Sequence, residues 1–276
     1  MGVFDSGLGG LTVVRALRQE LPNESIVYLG DTARIPYGTR TAATVCRYAE
    51  GCAAALLQHG IKVLVVACNT VSAVALEGLS AGLSVPVIGV VEPGARAAVN
   101  AARAQAAAGG TPPKIGVLCT EGTLRSGAYA RAVQRIAPSI EVLVRAAPLF
   151  VPLAEEGWVE GDVPRLAAER YLGPLLEQGA SVLLLGCTHY PLLQAVIHQT
   201  AQSLGNRPVQ IVDSALATAQ ALAELLEARQ LRAPTDERPG LRLLATDLPA
   251  TFRGSARRFL GDEVSDVQQV DISEGR

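Results

Sequence analysis

The segments Val63-Leu64-Val65-Val66-Ala67-Cys68-Asn69-Thr70 and Val182-Leu183-Leu184-Leu185-Gly186-Cys187-Thr188-His189 follow one plan, an apolar run that ends in a cysteine and then in hydrogen-bonding side chains. Gly60 and Gly179, residues suited to stopping a helix, precede them. A continuous aliphatic run without polar alternation is the pattern of a strand buried on both faces, as in a parallel sheet. The cysteines lie 119 residues apart, and so do the glycines, so the chain carries an internal repeat in register. A second echo, at an offset of 114, relates Gly2-Val3-Phe4-Asp5-Ser6 to Gly116-Val117-Leu118-Cys119-Thr120. The expected fold class is α/β, with two pseudo-symmetric α/β domains, mostly parallel sheets, and an active site in the inter-domain cleft that each domain supplies with a thiol.

Outward from these segments, short runs rich in Val, Ile and Leu predict strands at residues 2–4, 25–29, 62–67, 85–89, 114–118, 141–145, 181–185, 209–212 and 241–245. Helical patterning predicts helices at 11–21, 41–59, 71–80, 94–108, 123–136, 164–177, 192–204 and 215–228. Val90-Val91-Glu92-Pro93-Gly94 and Gly205-Asn206-Arg207-Pro208 carry the turn chemistry of crossovers between domains. They divide the chain into a discontinuous first domain, 1–92 plus 207–276, and a second, 93–206. The alanine-rich stretch 101–108 reads as an exposed helix end running into Gly109-Gly110.

Composition narrows the function. With 276 residues and 49% hydrophobic content, the chain can bury a large core. Its 24 basic and 26 acidic residues are scattered, with a net charge of −2, which leaves no electrostatic footprint for nucleic acid or an anionic membrane surface. No apolar run approaches the roughly 18 residues of a membrane span, and no basic-then-apolar leader follows Met1, so a cytoplasmic protein is expected. Five cysteines without a close CxxC pair suggest free thiols rather than a disulfide framework or a metal site. The only lysines, Lys62 and Lys114, do not stand at strand ends, so no pyridoxal-bearing lysine is implied.

In open α/β sheets the working surface is the rim at the carboxyl ends of the strands. Here the rim collects Asp5-Ser6-Gly7-Leu8-Gly9-Gly10, Cys68-Asn69-Thr70, Cys119-Thr120-Glu121-Gly122-Thr123 and Cys187-Thr188-His189-Tyr190-Pro191. One cysteine alone reads as a small buried hydrophobe. Two in register read as working thiols, each set before a helix start whose N–H groups should lower the thiol pKa from about 8.5. The glycine loop is a poor phosphate cradle, because Thr12 stands where a third glycine belongs and Asp5 would repel a phosphate. Asp5 with Ser6 better suits an ammonium and a neighbouring thiol. Beyond the second strand, Asp31 and Pro36-Tyr37-Gly38 read as a turn or as a substrate loop in which a phenol captures a carboxylate. His189 is the only histidine at the rim; His59 and His198 read as a helix cap and a surface residue, and Cys46 and Cys52 as packing. Two equivalent thiols suit an acid and a base on opposite sides of one carbon. The rival readings are a cysteine hydrolase built on Cys187 and His189, which needs only one thiol, and an amino-acid-binding protein, which leaves the thiols unexplained.

Gly2 to Val13, Pro36-Tyr37-Gly38, Ala67-Cys68-Asn69-Thr70-Val71-Ser72-Ala73, Gly122-Thr123 through Ser126-Gly127-Ala128-Tyr129, Pro148 to Leu153 and Gly186 to Pro191 together resemble the glutamate racemases of the aspartate/glutamate racemase family. Aspartate and hydantoin racemases share the paired cysteines but lack this flanking set, and a racemase of another acidic amino acid is the nearest rival among enzymes. The resemblance implies a racemase without cofactor or metal that interconverts L- and D-glutamate and supplies D-glutamate to peptidoglycan, with a homodimer as a possible assembly. By that likeness Cys68 takes the proton from D-glutamate and Cys187 from L-glutamate, Asp5 supports Cys68, and His189 with Glu155 supports Cys187. Ser6, Tyr37, Gly38, Asn69, Thr70 and Thr188 would bind the amino acid together with Asp5 and His189, with Thr120 and Thr123 as weaker candidates. Two departures stand out: Cys119 occupies a place where the family usually has glycine, and the first strand starts almost at Met1, which leaves its edge open to fraying.

Overall fold

A computed structural model describes residues 1–108, 113–205, 208–234, 239–248, 252–262, 264 and 266–272. Strands and helices alternate along the chain. The first run holds β1 (Gly2–Asp5), α1 (Leu11–Glu20), β2 (Ile26–Gly30), α2 (Ala42–Leu57), β3 (Leu64–Val66), α3 (Asn69–Val74), α4 (Leu76–Gly82) and β4 (Val87–Gly89). The second holds α5 (Val91–Ala107), β5 (Lys114–Cys119), α6 (Glu121–Ser126), α7 (Ala128–Ile136), β6 (Val142–Ala146), α8 (Phe150–Glu156), α9 (Asp162–Glu177), β7 (Ala180–Gly186), α10 (Gln194–Leu204) and β8 (Gln210–Asp213). After these come α11 (Ser214–Ala228), β9 (Leu241–Ala245), α12 (Phe252–Leu260) and β10 (Val267–Gln269).

Every strand pairing described is parallel. The strands form two sheets, one ordered β10-β9-β2-β1-β3-β4 and the other β6-β5-β7-β8. The second order repeats β2-β1-β3-β4, so the sequence repeat is a repeat of topology, with β3 and β7 in matching places. All seven residues of β7 and all four of β1 are buried, as in strands covered on both faces. Each such Val or Leu contributes roughly 1.5–3 kcal/mol by leaving water, which favours this arrangement over any that exposes a sheet face. α2, α3 and α4 cover one face of the first sheet, α5 and α7 one face of the second, and α1, α8, α9, α10, α11 and α12 share a continuous core over the remaining faces.

Several expectations are corrected. β8 pairs with β7, so the segment from residue 208 to Asp213 stays with the second sheet, and the chain returns to the first sheet only with β9. The short α10 crossover lays the next strand beside the one it leaves. Asn206 and Arg207, like Gly109 and Gly110, lie outside the described residues. Val91, Glu92 and Pro93 open α5 rather than forming a loop, because Pro93 falls in the first turn, where an N–H has no helical partner to lose. The helix expected at 123–136 breaks at Gly127, whose φ of 64° ends α6 in the left-handed region. The helix expected at 71–80 is two, α3 and α4. β1 is not a frayed edge: it pairs with β2 on one side and β3 on the other, and the Met1 ammonium donates to Ser25 O at 2.6 Å. Of the alanine-rich stretch, Ala101 and Ala102 are buried, and Arg103, Ala104 and residues 106–108 are exposed.

Candidate active site

The carboxyl ends of β1, β3 and β7 converge on one cleft of about 220 Å³. Cys68 and Cys187 line it, one thiol from each sheet, and both are buried. Ser6, Tyr37, Gly38, Asn69 and Thr70 also line it from the first half; Thr120, Glu155, Thr188 and His189 do so from the second. Asp5 and Thr123, by contrast, are buried behind the wall rather than lining it.

Cys68 caps α3, and the backbone N–H of Val71 supports its thiolate as a helix start should. Burial is stronger. It pushes the Cys68 thiol up to about 12, the negative Asp5 adds to the rise, and Val71 and Ser6 oppose it only in part. The expectation of a lowered pKa is therefore overturned here: Cys68 rests as a thiol, donating toward Ser6 Oγ at 3.7 Å. Behind it, the fully buried Asp5 accepts from the Gly7 N–H at 3.1 Å through Oδ2. Burial raises the Asp5 pKa, while the charge of His189 and the N–H groups of Gly10, Gly7 and Ser6 hold the rise back. Asp5 Oδ1 is buried with no hydrogen-bond partner among the described residues.

Cys187 has different company. His189 Nδ1 lies 3.8 Å from its sulfur, and His189 Nε2 lies 3.0 Å from Glu155 Oε1. Burial works against a charged imidazole, but the bonds to Cys187 and Glu155 outweigh it and hold the His189 pKa up at about 10. Two elements that the sequence does not announce build this side. α8 brings Glu155 to the cleft; its Pro152 looks like a breaker but falls in the helix's first turn. α12 sets Phe259 edge-on to the His189 ring at 5.2 Å, and Arg258 of the same helix donates to Glu155 O.

Hydroxyls tie the two halves together. Thr70 Oγ1 lies 3.0 Å from Thr120 Oγ1 and 3.4 Å from Thr123 Oγ1. Thr12 Oγ1 lies 2.9 Å from both Gly9 O and Thr188 O, which accounts for a threonine where a phosphate loop would have glycine. The Tyr37 hydroxyl is not free for a substrate carboxylate: a phenol has one proton, and this one is donated to the Asp31 carboxylate, which also pairs with Arg34 at 2.7 Å. Gly38 sits against the Thr120 side chain. Cys119 is buried with its sulfur 3.9 Å from Arg145 O, and burial pushes its thiol up to about 12. The two other histidines are exposed, His59 beside Arg242 and His198 beside Gln202.

Two buried thiols, one from the end of each sheet, lining one cleft are the equipment of an enzyme that moves a proton on and off carbon. Residues 11–222 match the Asp/Glu/Hydantoin racemase family. A glutamate racemase of Geobacter metallireducens is 49% identical over 99% of this chain and 96% of its own length. The crystal structure of glutamate racemase from Francisella tularensis in complex with D-glutamate superposes with a TM-score of 0.87 at 36% identity, over 98% of this chain and 96% of that one. That of Escherichia coli glutamate racemase, in complex with L-glutamate and an activator, does so with a TM-score of 0.76 at 27% identity, over 99% and 98%. The chain belongs to the aspartate/glutamate/hydantoin racemase family.

One glycine of the first loop has a role that spacing alone does not reveal. A Cβ on Gly9 would lie 2.3 Å from Thr188 Oγ1 and 2.6 Å from the His189 ring. Gly9→Ala is accordingly expected to push both side chains out of register, to lower kcat/KM by about tenfold and to cost about 1–3 kcal/mol of stability, because both neighbours are buried. Steady-state rates beside melting curves check this, and an unchanged kcat/KM would mean that His189 has room to yield.

Proposed function

We propose that the protein interconverts L- and D-glutamate by a two-thiol proton transfer at the α-carbon. The observation that carries this reading is the pair of buried cysteines, one from the end of β3 and one following β7, facing one cleft. With L-glutamate bound, Cys187 as thiolate removes the α-proton, and Cys68 as thiol delivers one to the opposite face; D-glutamate reverses the roles. His189, charged and paired with Glu155, favours the thiolate of Cys187. Asp5 receives the proton of Cys68 when that thiol must act as base.

An α-proton beside a carboxylate is a very weak acid, so the carbanion must be stabilised where water does not compete. The substrate carboxylates are assigned to Asn69, Thr70, Thr188 and Ser6, and to the backbone around Tyr37 and Gly38; Thr120 and Thr123 brace Thr70. The two thiols have different neighbours, Asp5 and Ser6 behind Cys68 and the His189–Glu155 pair behind Cys187. We assign the product D-glutamate to peptidoglycan synthesis in the cytoplasm and the assembly to a homodimer, which light scattering tests directly. Among the described residues no helix is long and apolar enough to cross a membrane.

The direct test is the optical rotation of L-glutamate incubated with the purified protein, which should decay to zero with no cofactor added; a stable rotation would overturn the proposal. Aspartate should be racemised at least about a hundredfold less efficiently, because losing one methylene pulls the distal carboxylate off fixed donors. Comparable kcat/KM for the two amino acids would point instead to a racemase of another acidic substrate.

A further inference from the structure

We infer that Tyr129 is a positioning residue that orients the Asn69 amide toward the substrate carboxylate and braces the approach to both thiols. The inference rests on the glutamate racemase reading above. Tyr129 stands on α7, 1% exposed, in the apolar cluster beside the second sheet. Its hydroxyl leaves that cluster and crosses to the other half, where it donates to Asn69 Oδ1 at 2.6 Å. Asn69 immediately follows Cys68. The ring edge meets the other strand end: a Cβ on Gly186, the residue before Cys187, would lie 2.8 Å from Tyr129 Cε2. One side chain thus touches the residue after the first thiol and the residue before the second.

The chemistry of the contact decides what it does. A phenol buried among alanine and valine needs a partner, and it has a single proton to give. Burial, with Cys119 as the next cause, pushes its pKa well above the ordinary phenol value, so it remains a donor. Donating to Oδ1 turns the amide so that Nδ2 faces away from the phenol. Nδ2 is buried with no partner among the described residues, and Asn69 lines the cleft. An amide held this way round offers N–H groups to an anionic substrate. Turned the other way it would place a carbonyl oxygen there and repel the carboxylate. Tyr129 touches no reacting atom in this scheme and acts through Asn69.

Tyr129→Phe keeps the ring against Gly186 and removes the hydroxyl, with its bond to Asn69 and its contact with the Ser214 side chain. The expected result is a rise in KM of about tenfold for both enantiomers with a much smaller change in kcat, the size of one misdirected hydrogen bond. In an Asn69→Ala background the same change should add nothing, because the two residues act as one unit. An unchanged KM in Y129F, or an equal KM increase with and without Asn69, would overturn the inference. A second variant leaves Tyr129 untouched. Asn69→Asp retains the acceptor for the phenol but presents an oxygen to the substrate, so it should raise KM more than Asn69→Ala does; a smaller rise than for Asn69→Ala overturns the orientation. Wild-type protein assayed on glutamate alongside separates the two levels: no racemisation there refutes the functional reading, whereas activity with an indifferent Y129F refutes only the role of Tyr129.

Discussion

Replacing either Cys68 or Cys187 by serine should lower glutamate racemisation by about three orders of magnitude or more, since a hydroxyl is far less acidic than a thiol and the two residues act as a unit. The free energies of the two enantiomers are equal, so kcat/KM must fall by the same factor in both directions whichever cysteine is changed. Isotope tracing separates the two thiols. If Cys187 abstracts and Cys68 donates, the proton delivered to product comes from a thiol already equilibrated with solvent. In D₂O the D-glutamate formed early should carry deuterium while the unreacted L-glutamate stays almost unlabelled, and the reverse reaction should mirror this. A single base serving both faces would label remaining substrate as readily as product. Substantial activity in either serine variant, or early label in unreacted substrate, would refute the two-thiol mechanism.

His189→Asn should cost about a thousandfold in kcat/KM near neutral pH, within the range of a group that controls a proton-transfer step. The buried imidazolium is held by Cys187 and Glu155, and removing it leaves the Cys187 thiolate without its partner. The folded-state pKa of about 10 lies above the ordinary 6.5. The charge therefore contributes stability that is complete below about 6.5 and is lost as pH rises through about 10. In the wild type both kcat/KM and the unfolding midpoint should decline along that alkaline limb, and the His189→Asn variant should lack its share of the decline. The substrate ammonium titrates in wild type and variant alike, so the difference between the profiles is diagnostic. Nitrogen NMR reads the group directly, because the chain has only three histidines. One imidazole should keep its proton far above pH 6.5 and vanish in the variant; three imidazoles that all titrate near 6.5 would sink the assignment.

Much of this site is legible before folding. Cys68, Asn69, Cys187, Thr188 and His189 announce themselves because a buried parallel strand must be aliphatic and its carboxyl end is where polar residues can meet a cleft. Elements read from local periodicity are found near their expected places, from α1 to β9. Others escape for local reasons. α8 hides behind Pro152, β10 is three residues long, and α12 is a short helix whose apolar face has meaning only against His189 and the neighbouring core.

The glycine-flanked aliphatic runs and their spacing determine the strands, the repeat and the presence of two thiols, because burial and backbone geometry act within a few residues of chain. The state of those thiols is a different matter. Spacing places Cys68 at a helix start and predicts a lowered pKa, yet burial beside Asp5 raises it, and that balance depends on what packs around the sulfur from distant segments. The tie of Tyr37 to Asp31, the approach of Gly9 to Thr188 and His189, and the reach of Tyr129 from one half to Asn69 in the other were likewise decided only by the tertiary structure. Desolvation and hydrogen-bond geometry are properties of the packed surroundings, and no local pattern in the chain encodes them.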